Sequence, residues 1–280
     1  MNDCFWSEAD GHPGAGGLVE LDLNGNFIRG SDAADPNDPE LRPYSVTPIA
    51  AMDRVITTTG DMWQKTESRS VQIWRMSDLE LLHTVLLPPG PRGDENLDVA
   101  EARLLADGKT VIVTTFRCGM YVLSDIDTES PQLKLVKTFP FVSFDAGDQC
   151  SVPWRIGNYW VQTIEGTSSL VVLDISDPYH PKEVDELVLA GPVRPHWISG
   201  EVGGNRIALT DKKGWLAGRV VLLELDPSNG KLSLIEDFRS PDSAHPGLDM
   251  TREQWPHGKS GASIPHGVVF SRMEPGPDPE

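Results

Sequence analysis

The residues of this chain best equipped for chemistry are its seven histidines, His12, His83, His180, His196, His245, His257 and His266. Imidazole nitrogens suit copper, zinc, nickel or iron, and each ring can also carry a proton near neutral pH. No two of them have the i, i+3 to i+5 spacing of a local ligand pair, so a metal site has to be assembled by the fold from distant segments. Two of them recur in the same setting. RPHWISGEVGGNRIALTD sets Pro195-His196 just ahead of a strand-like run, and IPHGVVFS returns to Pro265-His266. His245, His257 and His266 fall together in one loop-rich stretch, AHPGLDMTREQWPHGKSGASIPHG, which His196 is expected to approach. The metal reading therefore takes His196, His266 and His245. Taken singly, each ring reads more readily as a strand-end cap or a hydrogen-bond partner of a carbonyl than as a ligand. His83 and His180, on a hairpin arm and in a turn, read as structural.

Two other groups carry chemical potential. Glu101 and Arg103 in VAEARLL are i, i+2 neighbours on an expected strand and share a face. A carboxylate there could serve His196 as ligand, base or orienting partner, while the plain alternative is a salt bridge. Cys4, Cys118 and Cys150 are odd in number, widely spaced and free of any CxxC pair, which argues against a disulfide framework or zinc ribbon and for free, buried thiols. Other motifs fail on inspection. HGKSG resembles the end of a phosphate loop, but Glu253 stands where the first Gly is needed, and no Gly-x-Ser-x-Gly elbow is present.

The elements that must position these groups are short β-branched or alternating runs: GGLVELD, DRVITTT, SVQIWRM, KTVIVTTF, YWVQTI, SLVVLDI and RVVLLELD. SDLELLHTV tempts a helix assignment, but SVQIWRM before it makes it the return arm of a hairpin. The chain is nearly all β. The runs also repeat: a lead-in, a strand ending in Thr or Asp, a hairpin and a last strand, with lead-ins near Pro43, Val99, Val152, Pro195 and Pro265. Roughly 40 to 50 residues is the period of a four-stranded propeller blade. The expectation is a single β-propeller domain over residues 1–271, followed by a disordered acidic, Pro-rich tail at 272–280. The Pro-His positions fall where innermost strands begin and line the channel, with Tyr44, Glu101 and Trp154 at matching places. IPHGVVFS has no blade after it, and NDCFWS, GGLVELD and NGNFIRG lack an inner strand. Joining the termini would close a fifth blade; alternatively, the chain is a truncated seven-bladed propeller.

Composition excludes some partners. The 280 residues are 39% hydrophobic, enough for a sizeable core, and 42 acidic against 24 basic residues give a net charge of -18. That charge repels phosphate backbones and anionic lipid, so neither nucleic acid nor a membrane is expected as a partner. No apolar run approaches the roughly 18 residues of a spanning helix, and MNDCFWSEAD has no signal-peptide pattern, so the chain as written is expected in the cytoplasm. A natural start upstream of Met1 carrying an export signal would make it periplasmic.

The same segments resemble the selenium-binding protein family, whose bacterial members act as methanethiol oxidases. GHPGAGGLVELDLNGNFIRG is similar to that family's Gly-rich turn and hairpin. SVQIWRMSDLELLHTVLL resembles its second hairpin, and VAEARLL its Glu-x-Arg at Glu101 and Arg103. LVVLDISDPYHPKEV is similar to its YDISDP turn, and SAHPG to its Ala-His segment at His245. The family's paired-His motif, which the resemblance implies holds copper, has no counterpart here. The resemblance implies a copper-dependent oxidase of a small thiol; the residues of this chain read for that chemistry are Glu101 and His196 in catalytic roles and His196, His266 and His245 on a metal. Its small-molecule ligand would be a thiol or selenium compound. The alternative is a non-catalytic propeller that binds a ligand or protein partner on its loop face. A propeller lactonase would need a Ca²⁺ or Zn²⁺ site of carboxylates, at which only Glu101 hints.

Overall fold

The computed structural model describes residues 16–32, 42–60, 68–143, 146–211, 213–241, 243–259 and 261–271. Cys4, His12, NDCFWS and the 272–280 tail lie outside them. The described chain is built of antiparallel strands with two short 3-10 turns, and it has the fold of a β-propeller: four-stranded meanders following one another along the sequence. It divides into two compact units, residues 1–143 with 178–180, and 144–177 with 181–280.

In the first unit a hairpin of β1 (Val19–Leu21) and β2 (Phe27–Gly30) precedes two four-stranded sheets. One contains β3 (Val46–Ile49), β4 (Arg54–Thr58), β5 (Ser70–Arg75) and β6 (Glu80–Leu86). The other contains β7 (Val99–Leu104), β8 (Val111–Thr115), β9 (Gly119–Ser124) and β10 (Gln132–Thr138). Within each, strand order follows sequence order, as successive hairpins require. Runs such as SVQIWR and GMYVLS are buried along almost their whole length because both faces of these strands are covered, whereas the last strands β6 and β10 alternate between half-buried and exposed. The core is aliphatic: Ile56, Val71, Ile73, Val99, Val113 and Leu123 pack in one cluster with Tyr121. Hydroxyls join the two sheets, with Thr47 Oγ1 donating to the Ala102 carbonyl and Thr58 Oγ1 to that of Ala100, each at 2.7 Å. Cys118, buried after β8, is disulfide-bonded.

The second unit repeats the plan. β11 (Trp154–Ile156), β12 (Tyr159–Ile164), β13 (Ser169–Asp174) and β14 (Lys182–Val188) form one sheet. β15 (Pro195–Gly200), β16 (Arg206–Asp211), β17 (Arg219–Leu225) and β18 (Leu232–Leu234) form the next, with β19 (Leu248–Asp249) added beside β17. A small hairpin, β20 (Gln254–Trp255) and β21 (Gly258–Lys259), follows. Val161, Leu170, Val172, Ile198, Leu209 and Val221 belong to its core. The acidic residues that close strands make Asx turns. Ser176 donates both N–H and hydroxyl to Asp174 Oδ1, and Ser228 does the same to Asp226. A register shift recurs between the third and fourth strands of three sheets, at Ile73/Trp74, Leu135/Lys137 and Val172/Leu173. Bulges at this place increase the local twist.

Two expectations are corrected. Residues 264–271, expected to open an inner strand, form none, and among the described residues β1 and β2 pair only with each other. Pro265 has no N–H to give a ladder, and the His266 carbonyl is taken by the Thr210 hydroxyl at 2.7 Å. Nor are the described cysteines free thiols. Cys150, which makes an isolated bridge to Ile164, is disulfide-bonded, as Cys118 is.

Candidate functional site

His196 owes its position to a bulge. In the pairing of β15 with β16, Pro195 faces Asp211 and Trp197 faces Thr210, so His196 is the extra residue between them. A bulge re-aims one side chain out of the strand's alternation, and Pro is tolerated there because its missing N–H costs no ladder bond. The ring is thereby 97% buried, its carbonyl accepting the Val152 N–H at 3.2 Å.

Three polar groups from separate segments meet at its Nδ1. Glu165, the residue after β12, places Oε1 at 2.8 Å. Ser151, in the segment leading into β11, places Oγ 3.0 Å from the same nitrogen and 2.7 Å from Glu165 Oε1. Gln149 Nε2 donates to Ser151 Oγ at 2.7 Å, and the Glu165 N–H holds the Gln149 carbonyl at 2.9 Å. Glu165 is 6% exposed and Ser151 fully buried, so these groups must satisfy one another rather than water.

On the other side, His196 Nε2 lies 2.9 Å from His266 Nε2. The rings are close to parallel, 11° apart with centroids at 4.9 Å. Trp197 meets His266 edge-on at 5.5 Å, and Gly267 packs so closely on the Trp197 indole that a Cβ there would lie 3.0 Å from it. His266 is exposed where His196 is not, so the pair runs from the surface into the interior.

The structure thus brings together His196 and His266 of the expected residues. His245 lines a groove of about 550 Å³ with Leu187, Leu189, Leu234, Glu236 and Pro246, which neither His196 nor His266 lines. His257 stacks on Trp255 at 6.3 Å. Glu101, on β7 of the first unit, forms an ion pair with Arg103 at 2.6 Å. Burial pushes its carboxyl above the usual range and Arg103 opposes that shift. The carboxylate on His196 is Glu165, which the sequence presents only as a polar residue in the turn after a strand. Among the described residues, no three His, Cys, Asp or Glu side chains gather as a metal shell.

Comparison of the fold places the chain among propellers. A hypothetical selenium-binding protein from Sulfolobus tokodaii matches at a TM-score of 0.64 and 14% identity, over 80% of this chain and 60% of that one. The periplasmic gluconolactonase of Pseudomonas aeruginosa matches at 0.57 and 13%, over 79% and 62%. The β-propeller domain of Myceliophteria thermophila Cps50 (Swd1) matches at 0.55 and 11%, over 82% and 68%. This chain therefore spans about three fifths of the length of the first two. No protein-family model matches it, and no curated protein does.

Proposed function

We propose that this propeller is of the selenium-binding protein type and that the His196–His266 pair is its working centre, a two-nitrogen holder of copper serving the oxidation of a small thiol. The observation that carries this reading is the convergence of two Nε2 atoms to 2.9 Å with rings nearly parallel. Two imidazoles at about 2.0–2.1 Å from one ion, roughly at right angles, are separated by that same distance, and a right angle is what tetragonal copper prefers. In donor type and spacing the pair therefore fits copper, with the rest of the shell left to the substrate. Bound there, copper would supply oxygen activation for the oxidation of the thiol. His196 and His266 would hold it, the burial of His196 would keep water from one side, and the exposed flank of His266 would admit the thiol.

The alternative is a non-catalytic propeller that binds a ligand or protein partner. It is favoured by the fact that the two rings satisfy each other with a hydrogen bond and need no ion to do so. Elemental analysis of protein purified without chelators separates the two. About one copper per chain, lost in both His196→Ala and His266→Ala, supports the oxidase reading; less than about a tenth of an equivalent after reloading, with no thiol consumption, overturns it.

A further inference from the structure

We infer that Glu165, steadied by Ser151, is a positioning residue that locks His196 as its Nδ1–H tautomer and thereby reserves the Nε2 lone pair for whatever His196 meets on its other side. The tautomer lock stands on the geometry alone, while its consequence for copper rests on the function proposed above.

Counting protons yields the result. Ser151 has one hydroxyl hydrogen and accepts from Gln149 Nε2–H, so that hydrogen goes either to Glu165 Oε1 at 2.7 Å or to His196 Nδ1 at 3.0 Å. If Nδ1 were bare, its lone pair would face a carboxylate oxygen at 2.8 Å with no proton between them, in a site closed to water. With Nδ1 protonated, every contact has a donor and an acceptor: Gln149 N–H to Ser151, Ser151 O–H to Glu165, and His196 Nδ1–H to the same Glu165 oxygen. His196 Nε2 is then an acceptor, and the proton in the 2.9 Å contact belongs to His266. The two rings thus have different roles. His196 is the fixed member with its lone pair always presented, and His266 is the one whose ring proton must move from Nε2 to its own Nδ1 when another electrophile takes its place. A carboxylate behind an imidazole also raises its basicity, and loss of such a partner typically lowers metal affinity 10- to 100-fold.

The test uses the full chain carrying ¹⁵N-labelled histidine, with long-range ¹H–¹⁵N correlation at a pH of about 8, where ordinary imidazoles are neutral. His196 is identified as the signal lost in His196→Gln. The expected result is a protonated Nδ1 and bare Nε2 at His196 in the wild type. That state should persist in His266→Gln, because the lock is Glu165 and not the neighbouring ring. It should give way to a mixture in Glu165→Gln, whose amide can donate as well as accept. A bare Nδ1 in the wild type, or an unchanged tautomer in folded Glu165→Gln, overturns the inference; the wild-type spectrum decides even if that variant does not fold. Copper(II) competition with a chelator of known affinity adds the second readout, about a 10- to 100-fold weakening expected in Glu165→Gln. A wild type that binds no copper yet shows the lock would sink the function proposed above and leave this inference standing.

Discussion

Replacing Arg103 with Met should strand a buried carboxylate, and the cost can be worked from the structure. Glu101 has 7% of its side chain exposed and Arg103 28%, and their ion pair is 2.6 Å long. Removing one partner of a buried pair costs about 3–5 kcal/mol, because the remaining charge loses its compensation. At about 2–4 °C per kcal/mol for a domain of this size, Arg103→Met should lower Tm by roughly 6–20 °C at neutral pH. The pH dependence fixes the cause. Burial raises Glu101 above its ordinary value of 4.5 while Arg103 lowers it. Between 4.5 and the folded-state value the native protein holds a proton that the unfolded chain has shed, so stability falls as pH rises through that window. Without Arg103 the window extends upward, and the variant's deficit should shrink as the pH is brought down towards 4.5 and Glu101 is neutralised. Glu101→Gln in the Arg103→Met background should recover most of the loss at neutral pH. Thermal unfolding of the three proteins at neutral and acidic pH checks this. An equal deficit at both pH values would show that the lost packing of the arginine stem, not the stranded charge, sets the cost.

Other perturbations follow from single contacts. Gly119→Ala would push a methyl into the Glu95 carbonyl oxygen, a backbone atom that cannot swing away, and should cost about 1–3 kcal/mol in urea unfolding; an unchanged midpoint would contradict the packing. Gln162→Leu removes the donor to the Ser151 carbonyl at 2.7 Å and the acceptor of the Trp160 indole N–H at 3.2 Å. Two orphaned buried groups should together cost about 2–5 kcal/mol, and a loss under about 1 kcal/mol would mean that other partners replace it. Cys118 and Cys150 should resist alkylation in the denatured chain until a reductant is added, as peptide mass spectrometry would show; labelling of either without reductant would contradict its disulfide.

What the sequence made legible was whatever is written in consecutive residues. DRVITTT, SVQIWRM, KTVIVTTF, YWVQTI and SLVVLDI are all strands, since β-branched runs bounded by turn residues have few other ways to bury themselves. SDLELLHTV is the return arm because β6 pairs with β5. The pairing of His196 with His266 was readable from the repeated Pro-His, 70 residues apart. Glu165 and Ser151 were not, because a Glu in TIEGTSS and a Ser in CSVPW carry no signal until a bulge turns His196 toward them. His245 failed to join for the converse reason: AHPG is a legible motif, but its loop lies along the Leu187–Leu189 edge instead.

In each four-stranded sheet the residue at or just past the end of the second strand staples a neighbouring segment. Thr59 Oγ1 donates to the Ser70 carbonyl, and Thr115 Oγ1 to the Glu95 carbonyl, each at 2.6 Å. Asp211 accepts the Arg194 N–H on both oxygens, at 2.9 and 2.8 Å. Those three close on main-chain groups. Glu165 occupies the same place after β12 and closes instead on side chains, Ser151 and the imidazole of His196. An imidazole bonded through one nitrogen still has the other to offer, on the far side of the ring. The same position of the repeat thus provides a staple in all four sheets, and at Glu165 its partner is a histidine whose second ring nitrogen faces away from the staple.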